Sequence, residues 1–233
     1  MTDNILNKPK FRFREIKSFV LRQGRLTPGQ QKAFETAWPK YGLEYSTDIL
    51  DFNLIFGNEN PVVLEIGFGN GDSLAQMAED QPDINFLGIE VHRPGVGHLL
   101  IEIEKRELTN LRIISHDAID LLKNSLSENS LSGVQLFFPD PWHKKRHYKR
   151  RIVKASFLDL LAKCIQPNGF FHAATDWENY AQHILQAVKE HPKFTIEAPS
   201  GYIDRPTHRP LTKFEQRGQR LGHGVWDIMA INS

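Results

Sequence analysis

The chain has 233 residues, 40% hydrophobic and 24% charged, which is enough for one sizeable core and too ordinary for a disordered or fibrous protein. No apolar run approaches the roughly 18–20 residues of a membrane span, and Met1-Thr2-Asp3-Asn4 opens no signal-peptide pattern, so a cytoplasmic protein without a membrane partner is expected. Cys164 is the only cysteine, which excludes an internal disulfide and a multi-cysteine zinc site; the ten histidines show no ligand spacing, and no metal is expected.

The net charge of +1 hides a strong asymmetry. Between Lys8 and Arg25, the cations Lys8, Lys10, Arg12, Arg14, Lys17, Arg22 and Arg25 face Glu15 alone, and residues 1–30 read as a mobile basic arm ahead of a domain spanning 31–233. A short helix is predicted from Gly29 through Trp38, broken by Pro39 and Gly42. An alternation of strands and helices follows: strand 61–66, helix 72–80, strand 85–91, helix 96–108, strand 111–115, helix 117–126 and strand 134–138. Beyond a basic run come a helix over 155–165 stopped by Pro167-Asn168-Gly169, a strand over 170–175 and a helix over 179–190. Residues 193–197 and 225–231 pair as a closing edge around a long insertion. Repeated strand–helix units predict a doubly wound α/β fold with a mainly parallel sheet, whose ligands sit at the carboxyl ends of the strands.

The polar motifs fall at those strand ends. Glu65-Ile66-Gly67-Phe68-Gly69-Asn70-Gly71 follows the first parallel strand, and its glycines let the backbone turn tightly and approach a ligand. Its spacing is G-x-G-x-G, whereas a dinucleotide fingerprint would need a third glycine where Asp72 stands, and that carboxylate would repel a pyrophosphate. The pattern resembles the first motif of class I methyltransferases, which implies a seven-stranded Rossmann-like sheet with an antiparallel edge strand and S-adenosylmethionine as cofactor. Glu90 ends the second strand, where a carboxylate accepts both hydroxyls of a ribose. Asp117 ends the third and suits either an adenine amino group or a helix cap.

Pro139-Asp140-Pro141-Trp142 ends the fourth strand, and the two prolines stiffen the backbone around Asp140 where substrate would meet the cofactor. From His143 to Arg151 there are six Lys or Arg and no acid, interleaved with Tyr148 and two histidines, which suits phosphate contact with base stacking. Together with Gly88-Ile89-Glu90-Val91, Thr175-Asp176-Trp177 and Thr212-Lys213-Phe214-Glu215, these segments make the chain similar to the tRNA (guanine-N7-)-methyltransferase family over residues 18–231. The resemblance implies methylation of guanosine 46 in the tRNA variable loop. It assigns Asp140 as the catalytic residue and a cofactor contact beside Glu65, Gly67, Gly69, Gly71, Glu90 and Asp117. It assigns Lys144, Asp176, Thr212, Lys213, Phe214 and Glu215 to substrate, and Arg146, His147, Tyr148, Lys149, Arg150 and Arg151 to RNA. The partner is tRNA; monomer and homodimer both stay open.

Guanine N7 carries a lone pair and no proton, so one fixed carboxylate and no strong base suffice. Either Glu215 or Asp176 can accept the N1 and N2 hydrogens of guanine. A nicotinamide-dependent oxidoreductase would explain Glu90 but not the glycine spacing, and a non-catalytic RNA-binding protein would have no use for the strand-end acids. His172 and His183 are expected to be structural or exposed, and Cys164 a buried core thiol.

Overall fold

The computed structural model describes residues 16–20, 24–220 and 224–233, with the side chains of Lys213, Phe214, Arg217 and Gln219 outside the description. Most of the basic-arm expectation, including Lys8, Lys10, Arg12, Arg14 and Arg22, therefore lies outside the described residues.

In chain order the elements are α1 (Pro28–Thr36), α2 (Trp38–Tyr41), β1 (Gly42–Leu43), α3 (Phe52–Phe56), β2 (Val62–Ile66), α4 (Asp72–Asp80), β3 (Asn85–Ile89), α5 (Arg93–Lys105) and β4 (Leu111–Ile114). There follow α6 (Ala118–Asn124), β5 (Leu131–Phe137), a 3-10 helix (Lys145–Arg150), α7 (Ala155–Cys164), β6 (Ile165–Thr175), α8 (Glu178–Glu190), β7 (Phe194–Thr195), α9 (Lys213–Arg220) and β8 (Trp226–Asn232). The strands form one sheet in the order β1-β4-β3-β2-β5-β6-β8-β7. All neighbouring pairs are parallel up to β6, and β8 runs antiparallel to both β6 and β7. The expected doubly wound sheet with its antiparallel closing edge is thus present, with eight strands where seven were predicted. The extra one is the two-residue β1, too short to carry a period, held by Gly42 and Leu43 against Ile113 and Ile114.

β2 and β3 are buried along their whole lengths, which is why they read as continuous apolar runs rather than alternating ones. One core lies between the sheet and α1, α4 and α5, the other between the sheet and α6, α7 and α8. The chain winds outward from β2 through β3 to β4, then returns to β5 on the other side of β2. A crevice opens at the carboxyl ends of β2 and β5, where that direction switches.

Two turn signals act differently from their sequence reading. Pro39 opens α2 as one of its first residues instead of ending the preceding helix, because a proline at that position gives up an amide the helix does not use. α7 already ends at Cys164, and Pro167-Asn168-Gly169 form a bulge inside β6, with Asn168 at φ 65° and the register to β5 shifted between Leu131 and Gly133. A strand proline is tolerated at such a bulge because no ladder hydrogen bond is lost there. The insertion before β8, expected as a loop, contains α9.

Candidate active site

The glycine loop runs from β2 to α4 with Gly67, Gly69 and Gly71 all at positive φ, which L side chains adopt only under strain. A Cβ built on Gly67 or Gly69 would stand in open space, so the loop is a cradle whose concavity a side chain would fill. Glu90, just past β3, pins this cradle: its carboxylate accepts from the amides of Gly69 (3.0 Å), Val91 (2.7 Å) and His92 (2.9 Å). Glu65 is 3% exposed at the end of β2, and its Oε2 has no hydrogen-bond partner among the described residues. Burial, with the Glu90 charge adding to it, pushes the Glu65 carboxyl up to about 8. A buried acid held protonated beside an open cradle is poised for a cationic ligand group.

Asp117 is buried and caps α6 through the Ile119 amide (3.0 Å), so the capping role is realised. Its other oxygen accepts from Lys17 at 2.7 Å. Gly67, Glu90, Asp117 and Asp140 line one cavity of 240 Å³ at the strand ends, roofed by Ser18 and Phe19. Four acidic or glycine positions drawn from four strand ends thus meet around one space. Glu65 stands one residue before the lining residue Ile66 but is not itself part of the lining, and Gly71 sits at the start of α4, where an added Cβ would meet Leu99 at 2.8 Å.

A second cavity of 600 Å³ adjoins the first, with Phe19, Glu90, Val91 and Asp140 on both, and Trp142, Lys144 and His147 on the second. Asp140 is exposed at the junction. Its loop is braced on both sides. Phe138 (φ 51°) donates its amide to Ala174 O at 2.7 Å, Arg151 Nε donates to Pro141 O at 3.0 Å, and Trp142 (φ 49°) donates its indole N–H to Ser18 O at 3.1 Å. Two non-glycine residues at positive φ flanking one carboxylate mark backbone strain that the surrounding contacts hold in place.

The 3-10 helix presents Lys145, Arg146 and Lys149 to solvent, with Lys144 exposed just ahead of it. His147 is held below its ordinary pKa by burial and by Arg146, Arg150, Lys144 and Lys149 around it. Arg150 lies over the Trp142 ring at 4.9 Å. Arg151 departs from its expected RNA contact. It is 3% exposed, donates to Asn179 Oδ1 at 2.8 Å and stacks on Tyr148 (3.8 Å) and Tyr180 (4.7 Å), so its charge is spent inside the protein. Tyr148, half-buried, offers one ring face to Arg151.

The carboxyl-terminal motif is placed differently from expectation. Thr212 caps α9, its hydroxyl accepting from the Glu215 amide at 3.1 Å, as a T-x-x-E capping signature would. Glu215 is 2% exposed, and both of its oxygens accept from Arg209, at 2.7 and 2.9 Å. That bidentate pair leaves the carboxylate no free edge for guanine in this arrangement. Arg209, fully buried, also grips both oxygens of Asp227 at 2.7 and 2.8 Å, and Asp227 bonds His172 at 2.8 Å. His172 is accordingly structural. His183 contacts Val153 O at 2.8 Å, and Cys164 is buried with its thiol pushed up to about 11 by burial. Asp176 stands half-exposed past the end of β6, beside Trp177, whose ring meets His143 edge-on at 4.2 Å. The side chains of Lys213 and Phe214 lie outside the described residues.

A family model described as "Putative methyltransferase" matches residues 59–228. A tRNA (guanine-N(7)-)-methyltransferase of Shewanella amazonensis is 55% identical over 93% of this chain and 91% of its own length, and one of Vibrio cholerae is 56% identical over 92% and 91%. The chain belongs to the tRNA (guanine-N(7)-)-methyltransferase family. It is a methyl-transferring enzyme, and S-adenosylmethionine is its cofactor. The open glycine cradle and the unpartnered Glu65 fit that cofactor, whose amino and sulfonium groups are cationic. The 16S rRNA methyltransferase KamB, 16% identical with a TM-score of 0.53 over 80% of this chain and 95% of its own, shares the fold.

Sequence reasoning missed three contributors to this site. Ser18 and Phe19 line the 240 Å³ cavity and Lys17 bonds Asp117 at its wall, about a hundred residues away in the chain, and an unpatterned arm gives no period to read. Gly95 lets α5 abut the cradle, since a Cβ there would stand 1.9 Å from Gly69 O. A second glycine two residues on, Gly97, was the available signal: paired glycines inside a helix mark a close approach. Arg209 carried no signal at all, being one basic residue in a polar stretch.

Proposed function

We propose that this methyltransferase modifies N7 of guanosine 46 in the variable loop of tRNA, in the cytoplasm, with residues 31–233 as the methyltransferase domain and residues 1–30 as a basic arm. The supporting observation is that Asp140 lines both cavities, one bounded by the cofactor acids and the other by Lys144 and His147.

When bound, S-adenosylmethionine supplies an electrophilic methyl group on a sulfonium. Glu65 and the Gly67–Gly69 cradle would hold the amino acid portion, Glu90 would take the ribose hydroxyls, and Asp117, now bonded to Lys17, would take the adenine. Lys144, Arg146 and Lys149 carry the phosphate backbone, each phosphate neutralised adding roughly 0.7 to the log–log salt slope of single-strand binding. Asp176, with its carboxylate accessible, accepts the N1 and N2 hydrogens of guanine, an edge that adenine cannot offer. Thr212 to Glu215 border the base from the other side, with Glu215 as a brace. Guanine N7 donates its lone pair and has no proton to lose, so Asp140 acts without accepting one. Its fixed charge opposes the positive charge arriving on the purine.

The position is tested with two transcripts of one tRNA that differ only in guanosine or adenosine at 46. Labelled methyl is expected in the first alone, and equal labelling of both would refute the assignment.

A further inference from the structure

We propose that Arg209 is a positioning residue for methyl transfer: it fixes the Thr212–Glu215 segment against the end of the catalytic strand. The proposal rests on the reading of Thr212–Glu215 as the border of the guanine site.

Arg209 is fully buried, and its guanidinium joins three separate elements: the start of α9, β8 and the end of β5. Its two terminal nitrogens reach Glu215 at the start of α9, and Nε with one of them reaches Asp227 on β8. Its guanidinium also lies 5.7 Å from the ring centres of both Phe137 and Phe138, the residues that lead into Pro139-Asp140. The loop around it is closed by Arg205, which donates to Arg209 O. One side chain thus ties the α9 loop to the strand end two residues before Asp140. A planar fork can serve two carboxylates bidentately and still offer its face to aromatics, which an ammonium cannot do.

A cluster built only for stability would not need this arrangement, since apolar residues of similar volume serve a core at least as well as buried ion pairs. Against the burial that would raise it, hydrogen bonds from His172 and Arg209 hold the Asp227 carboxyl low, so the anchor on β8 stays ionised.

The test is single-turnover methylation by R209K, E215Q and the R209K/E215Q double variant, with each rate expressed per cofactor-binding site counted by calorimetry. R209K is expected to keep its affinities for S-adenosylmethionine and tRNA within about twofold while its rate falls at least tenfold. The double variant is expected to be no slower than the slower single one, because Arg209 acts through Glu215. Should R209K fail to fold, D227N loosens the seat of Arg209 without touching the α9 loop, and the same loss of rate with retained affinities is expected. A wild-type rate per site in R209K, or in D227N where it takes that place, overturns the proposal, as do losses that multiply in the double variant. A wild-type rate in E215Q beside a slow R209K overturns the route through Glu215, and wild-type rates in R209K, E215Q and the double variant together overturn the reading of the segment as the guanine border as well.

Discussion

Asp140→Asn is expected to lower the single-turnover rate of methyl transfer by roughly 10²–10³-fold, the loss typical when a preorganised group aimed at developing charge is removed. The geometry makes this variant informative. Asp140 is exposed at the junction of the two cavities, so the substitution disturbs no packing, and asparagine keeps the shape of the side chain between its two prolines. The loop would stay braced by the Phe138–Ala174 and Arg151–Pro141 hydrogen bonds, neither of which involves the carboxylate. Affinity for tRNA, carried by the outward-facing cations, should change little. A variant that turned over at the wild-type rate under saturating tRNA and cofactor would show that the negative charge of Asp140 has no part in the reaction.

Glu65→Gln should have an equally large effect, in two opposite directions. In the cofactor-free protein burial, with the Glu90 charge adding to it, raises the Glu65 carboxyl from 4.5 to about 8. The folded state therefore keeps a proton that the unfolded chain releases as pH rises above 4.5, and stability falls between pH 4.5 and about 8 on this account. Glutamine removes that slope and should make the cofactor-free protein about 3–5 kcal/mol more stable at pH 8 than the wild type. The cationic cofactor has the reverse interest in this residue. It should drive Glu65 to ionise, releasing close to one proton per site at pH 7, which calorimetry reads as a binding heat that varies with the ionisation enthalpy of the buffer. Glu65→Gln should abolish the release and weaken cofactor binding by about 10–100-fold, the loss expected for a hydrogen bond to a charged group. Identical heats in buffers of low and high ionisation enthalpy would mean that Glu65 is not the acid that meets the cofactor cation.

The sheet was legible in the sequence because its strands are buried on both faces. Val62–Ile66 and Asn85–Ile89 are buried along their lengths and apolar apart from Glu65 and Asn85, and the glycine or acidic residues that follow them had to lie at one edge of the sheet. α4 matched its predicted bounds because Leu74, Met77 and Ala78 repeat at the helical period over an unbroken span. Pro167-Asn168-Gly169 was misread because one set of turn residues serves a helix stop and a strand bulge alike, and only the neighbouring strand decides between them.

In the site, the residues held by local backbone geometry were the readable ones. The cradle glycines and Glu90 are fixed by the β2–α4 and β3–α5 connections, which are local. The charged residues were not readable individually. Arg151 and Arg146 stand in one basic run, yet Asn179 and Tyr180 draw the first inward while the second stays in water. Glu215 reads as a ligand carboxylate until Arg209, six residues earlier, is seen to hold both of its oxygens. Lys17 likewise reached Asp117 across a hundred residues of chain. Composition sets how many cations a segment has, and tertiary partners set which of them remain for RNA.

Nucleoside analysis of tRNA lacking this modification, after incubation with the protein and methyl-labelled S-adenosylmethionine, tests the central claim most directly. The label is predicted to elute with 7-methylguanosine and with no other nucleoside. Label in a different methylated nucleoside, or none above a control without protein, would contradict it.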